Sequence, residues 1–473
     1  MFVISRYYCY SKTPNRITGS HPKEIDMTES KNGLLYGPND NVSLGQSGVL
    51  GLQHVLAMDV YVPPIIIAGL LSMSIAEKSG FLQAAFLAAG IGTILQTRFF
   101  LKIPVSQGPS FVPIGAVAGV YLANGGPNGG MATVIGSLIV GSLMLIIFGL
   151  SGIFQKVISK LVPAIVGGTI ITCVGLSLLP SALNDNIFKA SGNVNQNILL
   201  ATITGLTMLI AMIISARVPQ LSKVLRISSI IISLIVGTVT ASMMGMFDWS
   251  AVSHAAWISL PQFTALHYGI HFSIPAILTF VIIYLVLTTE TTGTWFAMSA
   301  VTGEKLSNKQ WNHGIIGEGI SCLLAALLGA TPTTGYSTNA GVISITGVAS
   351  KRVFMSAGIW FIVLGFCGKL SAFLSAVPAP VIGGVFSIIC VMIMLNGLNV
   401  IRYLQTNEST MYVIGIPIIM TMALILVPTS VIHETPQLVQ YLLGSPITIA
   451  AVTAIIINLL MPSAKQPATA TEP

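Results

Sequence analysis

Charge is what this chain has least of: Asp, Glu, Lys and Arg make up 7% of its 473 residues, where a soluble globular protein carries about 25%. Hydrophobic residues reach 53% and the mean hydropathy is +0.85, so water cannot be the solvent for most of the surface. Cysteine is also scarce. Cys9, Cys173, Cys322, Cys367 and Cys390 stand apart with no CxxC spacing, which argues against both a disulfide framework and a metal site. Histidines other than His54 lie in the tail, loops or segment ends, and no second His or Cys lies near His54 at ligand spacing, so no metal is expected. HExxH, GxSxG and any nucleophile–base pair are missing as well, which speaks against an enzyme. No cofactor is called for.

What the chain does have is long apolar runs. Crossing the hydrocarbon layer as helix takes about 20 apolar residues. Fourteen candidate segments lie near 46–72, 80–97, 104–121, 131–152, 163–180, 196–215, 228–246, 272–300, 313–330, 335–348, 353–373, 380–400, 411–428 and 443–461. An even number places both termini on one side. If that side is the cytoplasm, 18 of the 21 basic residues fall inside and only Lys78, Lys189 and Lys369 outside, as the positive-inside rule requires. The net charge of +7 therefore reads as a topology signal facing a lipid bilayer and not as a nucleic-acid site. Residues 1–43 are polar and lack the h-region of a signal peptide, which predicts a cytoplasmic tail with Met27 an alternative start. Residues 462–473 form the other tail of a multi-pass protein of the inner (plasma) membrane.

Fourteen divides into seven and seven, and an odd number per half forces related halves into opposite orientations. The fifth segment opens Val162-Pro163-Ala164-Ile165-Val166-Gly167-Gly168, and the twelfth opens Val377-Pro378-Ala379-Pro380-Val381-Ile382-Gly383-Gly384. The third and tenth are interrupted, at Ile103-Pro104-Val105-Ser106-Gln107-Gly108-Pro109-Ser110-Phe111 and at Pro332-Thr333-Thr334-Gly335-Tyr336-Ser337-Thr338-Asn339. Paired interruptions in inverted repeats point to a binding site near the bilayer midplane. The fold class expected is an all-α membrane protein with a 7+7 inverted repeat.

Of 14 acidic residues, three lie within segments: Asp59, Glu290 and Glu318. An ionised carboxylate at a helix centre costs roughly 2.5–3.5 kcal/mol to insert, and apart from Lys369 near the end of 353–373 no basic residue lies within a segment to pair with it. A buried carboxylate that takes up and releases a proton on alternate sides is what proton coupling requires. Glu290, in Thr288-Thr289-Glu290-Thr291-Thr292-Gly293-Thr294, is the first choice. Glu318 could serve in the same network, or snorkel to the interface from the start of its segment. His54 follows Gln53 and precedes Asp59 by five residues, and is read as orienting a neighbour by hydrogen bonding.

The stretch Asn339-Ala340-Gly341-Val342-Ile343-Ser344-Ile345-Thr346-Gly347 resembles the signature of the nucleobase–ascorbate transporter family (nucleobase:cation symporter-2). It matches at Asn339, Gly341, Thr346 and Gly347, and the following Val348-Ala349-Ser350 looks like the bacterial purine permeases for xanthine and uric acid. Gly51-Leu52-Gln53-His54-Val55-Leu56-Ala57-Met58, Gly108-Pro109-Ser110-Phe111, Glu290 and Gly293 extend the likeness over roughly residues 44–461. The resemblance implies that Glu290 binds the base through its ring N–H groups, that Phe111 and Tyr336 sit against it, and that Asn339 supports the site. His54 and Glu318 would belong to the polar network around it. Backbone groups at Phe111, Tyr336, Ser337 and Thr338 could supply further contacts to a planar heterocycle. It also implies a core of about 44–152 and 272–373 moving against a gate of about 161–247 and 377–461, and a homodimer.

Three positions depart from the family pattern. Thr338 stands where purine carriers have Gln, Thr294 where Asp or His is common, and Glu318 where Asp is common. Threonine cannot make a two-point amide contact, so the choice among purines stays open, with uracil, another planar solute or an anion on the same fold as alternatives.

Overall fold

The computed structural model describes residues 34–261, 267–402, 407–428 and 445–461, with isolated positions between 431 and 443. Most of the expected tails, residues 1–33 with Cys9 and Met27, and residues 462–473, lie outside the described residues.

In lipid the backbone must satisfy its own polar groups, and helix does so within each segment. Among the described residues, eight helices are long and apolar enough to cross a membrane: α3 (Ile75–Arg98), α5 (Gly130–Leu150), α7 (Ala164–Pro180, continued by a π-helical turn to Phe188), α8 (Val194–Arg217), α11 (Ile274–Thr302), α12 (Asn308–Leu328), α16 (Ala379–Arg402) and α17 (Glu408–Leu426). The other apolar segments are built from α1 (Leu44–Leu56), α2 (Val62–Leu70), α4 (Ile114–Ala123), α9 (Pro219–Met243), α13 (Thr338–Thr346), α14 (Lys351–Phe366), α15 (Gly368–Ala376) and α18 (Pro446–Leu460). Two short helices, α6 (Phe154–Leu161) and α10 (Trp249–His254), connect them. Capping follows the sequence. Ser74 with Glu77 and Ser307 with Gln310 form capping boxes at the starts of α3 and α12.

Where the sequence suggested one span over 46–72, the chain breaks between Leu56 and Val62. Pro63 and Pro64 occupy the first turn of α2; they lack N–H groups and clash with a preceding helical turn, so the helix must restart there. The segment read as 353–373 is likewise split at Cys367 between α14 and α15. There the loop 256–259 inserts: Ser259 donates its amide to the Phe366 carbonyl at 3.0 Å, and a Cβ at Gly368 would lie 2.7 Å from the Ala256 carbonyl oxygen.

The two Pro- and Gly-interrupted segments each contain a short strand, β1 (Gln107–Pro109) and β2 (Thr333–Gly335). The strands pair antiparallel with Gly108 opposite Thr334. Each is followed by a short helix, α4 and α13, so two helix N-termini start beside the paired strands.

Packing falls into two groups. Helices α1, α3, α5, α12 and α14 contact one another, and α7, α8, α9, α16, α17 and α18 contact one another. Close approach depends on small residues. A Cβ on Gly90 would meet the Gly358 carbonyl oxygen at 2.6 Å, joining α3 to α14, and one on Gly175 would meet the Cys390 carbonyl oxygen at 2.5 Å, joining α7 to α16.

Candidate functional site

Glu290, Thr291 and Thr294 share one face of α11, and that face lies along the paired strands. Thr291 Oγ accepts from the Gly335 amide at 3.1 Å, and Thr294 Oγ donates to the Gly335 carbonyl at 2.8 Å. Glu290 is half-buried and accepts from Ser110 Oγ at 2.6 Å. Ser110 Oγ in turn accepts from the Val112 amide at 3.0 Å, which sets the hydroxyl at the mouth of α4.

Beside that carboxylate, backbone donors are open. The Tyr336 amide is used by the Ser106 carbonyl and the Ser110 amide by the Pro332 carbonyl, both at 3.0 Å. The amides of Phe111, Ser337 and Thr338 make no backbone hydrogen bond among the described residues; Ser337 and Thr338 open α13, where the first N–H groups have no partner within the helix, and Phe111 precedes α4. Ser337 and Thr338 are exposed, as is Gly293 one turn from Glu290. A Cβ on Gly293 or Gly341 would meet nothing within 4 Å. The site therefore has space beside a carboxylate acceptor and two helix N-termini, where helix dipoles favour partial negative charge.

Phe111 stacks with Phe386 of α16, ring centroids 6.2 Å apart, so this aromatic contact joins the two helix groups. The ring of Tyr336 is buried among Val60, Phe86 and Phe361. Its hydroxyl donates to the Pro109 carbonyl at 2.8 Å, and a Cβ on Gly108 would come within 2.6 Å of the ring.

Glu318 is 0% exposed, which rules out snorkelling. One oxygen accepts from the side-chain amides of Gln96 and Gln107, each at 3.0 Å, and the other from Thr291 Oγ at 2.7 Å. Since Thr291 also accepts from Gly335 and Gln107 belongs to β1, Glu318 ties α3, β1, α11 and β2 together. His54 Nδ1 lies 3.0 Å from Asn339 Oδ1, Asn339 Nδ2 donates to Met58 Sδ at 3.2 Å, and the ring also bonds the Val348 backbone. This cluster holds α13 against α1. Asp59 is buried in the break between α1 and α2. Gln53 is half-buried, and its side chain forms no hydrogen bond among the described residues.

Ser110, Gln96, Gln107, Thr291 and Phe386 were not singled out as site residues from sequence. Glutamine within the apolar α3 is a local signal, but α3 buries two of them, Gln83 and Gln96, and only packing tells them apart. Among the described residues no group of His, Cys, Asp or Glu could hold a metal ion.

The arrangement of helices with paired broken segments is that of a multi-pass membrane transporter. It is similar to the transmembrane domain of the cyanobacterial bicarbonate transporter BicA, with a TM-score of 0.58, 14% identity, and 89% of this chain and 99% of that one covered. It is also similar to the murine anion transporter Slc26a9 in its inward-facing state, with a TM-score of 0.59, 12% identity, and 89% and 69% covered. These likenesses concern the fold.

The chain belongs to the Permease family Xan_ur_permease, whose model matches residues 45–430, and it is a transporter and not an enzyme. This bears out the likeness to the nucleobase–ascorbate transporters read from the Asn339–Gly347 stretch. The chain is 28% identical over 426 residues to the nucleobase transporter PlUacP of Paenibacillus larvae, covering 87% of this chain and 93% of that one. It is 27% identical over 434 residues to the uric acid permease PucK of Bacillus subtilis, covering 89% and 96%, and 26% identical over 459 residues to the xanthine permease XanP of Escherichia coli, covering 92% and 96%.

Proposed function

We propose that this chain imports a purine nucleobase, xanthine or uric acid, by proton-coupled alternating access, with the base held between Glu290 and the N-termini of α4 and α13. The observation that carries the proposal is the half-buried Glu290 carboxylate beside the unused amides of Phe111, Ser337 and Thr338. An oxopurine presents ring N–H groups to a carboxylate and carbonyl oxygens to backbone donors, so this set of groups suits it. Phe111, backed by Phe386, supplies an aromatic surface for the planar ring. The names of the relatives point to the same substrates.

In this reading Glu290 also carries the coupling proton, with Asp59, Thr294, Gln53 and the Glu318 and His54 clusters as its polar surroundings. The chain folds as fourteen segments in a 7+7 inverted repeat, with both termini in the cytoplasm and the protein in the inner membrane. Supporting the repeat, the two Pro-Gly phrases open α7 and α16 in matching register, just after Pro163 and Pro378, and β1 and β2 occupy matching places. Residues 44–152 and 272–373 form the core, and 161–247 and 377–461 the gate, in keeping with the two packing groups. The gate also provides a homodimer contact.

The test is uptake of labelled xanthine and uric acid, with uracil as control, in cells lacking their own carriers, with and without a proton ionophore. Loss of purine uptake both in Glu290→Gln and with ionophore is expected. Uptake untouched by Glu290→Gln would remove that residue from the site, and no purine uptake by a folded, expressed protein would exclude the substrate class.

A further inference from the structure

Away from this site, a cavity of about 480 Å³ opens where α3 ends and α14 begins. Four basic side chains line it: Arg98, Lys102, Lys351 and Arg352. One carboxylate answers them. Glu304 is 3.9 Å from Lys351, which also donates to Asn39 at 2.9 Å. Arg98, Lys102 and Arg352 form no ion pair among the described residues.

The placement of these charges is unfavourable for an empty cavity. Lys351 and Arg352 are the first two residues of α14, where the helix dipole already presents positive potential. Lys102 has φ +61°, a conformation that glycine adopts freely and lysine only at a cost. An anion between these groups would offset both. Below the charges an apolar track begins. Met355 lines the cavity, and Ile359 and Val363 follow at four-residue spacing on the same face of α14, 55% and 50% exposed. A soluble phosphate would use the charges and leave the track bare; a phosphate carried on a hydrocarbon chain would use both.

We propose that this cavity binds the phosphate-bearing headgroup of an anionic phospholipid, with an acyl chain along Met355, Ile359 and Val363. The lipid would come from the leaflet on the side where most of the basic residues lie, where pockets of this composition between membrane helices suit such headgroups. It would bridge the end of α3 to the start of α14.

The experiment titrates the purified full chain in detergent with phosphatidylglycerol, with phosphatidylcholine of the same acyl chains, and with inorganic phosphate, reading binding by native mass spectrometry and thermal shift. Phosphatidylglycerol is expected to bind about tenfold tighter than phosphatidylcholine, and Arg98→Gln with Lys102→Gly to weaken it roughly 25-fold, about fivefold per charge. Lys102→Gly alone suits the local backbone, so it keeps the test valid should the double variant fold poorly; it should weaken binding about fivefold. Lys160→Gln, on α6 and not among the lining residues, should leave binding unchanged. Unaltered phosphatidylglycerol binding in the Arg98 and Lys102 variants would overturn the proposal. So would binding of inorganic phosphate that those variants abolish, with no preference between the two lipids, which would mark a soluble-anion site.

Discussion

Replacing Glu318 by alanine removes the acceptor for Gln107 Nε2, for Thr291 Oγ and for one N–H of Gln96. Each buried donor left without a partner costs about 1–3 kcal/mol, so the loss is about 3–9 kcal/mol against a net stability of roughly 5–15 kcal/mol. Glutamine at 318 can keep its carbonyl where Gln96 and Gln107 converge, and strands only the Thr291 hydroxyl hydrogen, costing about 1–3 kcal/mol. Both changes abolish the desolvation cost of a buried carboxylate, so that gain cancels when the two are compared. The difference, about 2–6 kcal/mol, reports the hydrogen bonds together with the cavity left by alanine. Thermal unfolding in detergent, with initial rates of xanthine uptake, should rank Glu318→Gln well above Glu318→Ala. Equal stability of the alanine and glutamine variants would refute the reading of Glu318 as the tie between β1 and α11.

Ser110→Ala removes the 2.6 Å bond that orients Glu290 and should raise KM for the base about fivefold with the amount of folded carrier unchanged; an unchanged KM in the uptake assay would contradict this. Gly108→Ala would place a methyl 2.6 Å from the Tyr336 ring and should cost about 1–3 kcal/mol by overpacking, whereas Gly341→Ala, with nothing within 4 Å, should unfold at the native temperature. In the second helix group, Gly397→Ala would press a methyl to 2.5 Å from the Gly168 carbonyl oxygen and push α16 from α7, again losing about 1–3 kcal/mol. Gly167→Ala, whose nearest neighbour is the Val162 side chain at 3.8 Å, should be neutral in the same unfolding assay.

The broken segments were legible because proline and glycine act locally. Pro104, Pro109 and Pro113 deny helix around β1, and Pro332 with Gly335 does so around β2. The same rule applied to Pro63 and Pro64 would have found the break after Leu56. It was hidden by treating 46–72 as one apolar run, since hydropathy does not register a missing N–H. The split at Cys367 has no local signal at all, because it depends on Ser259, more than a hundred residues away, reaching the Phe366 carbonyl. Glu318 shows the same limit. Its position near the start of an apolar segment suited an interfacial residue, and only the packing of α3 and β1 against α12 encloses it.

Composition and charge distribution by themselves determined that this is a multi-pass membrane protein, because inserting charge into hydrocarbon is costly whatever the tertiary arrangement. The Asn339–Gly347 stretch determined the family, and the scarcity of carboxylates within apolar segments singled out Glu290. Tertiary structure decided what each carboxylate meets: Ser110 for Glu290, 180 residues apart, and Gln96 for Glu318, 222 residues apart. It also decided that the Tyr336 amide is consumed while those of Phe111, Ser337 and Thr338 stay open. Hydrogen bonds are short-range and directional, so such partners are settled only when distant segments pack, whereas the preference for lipid over water is a sum over residues that the chain carries before it folds.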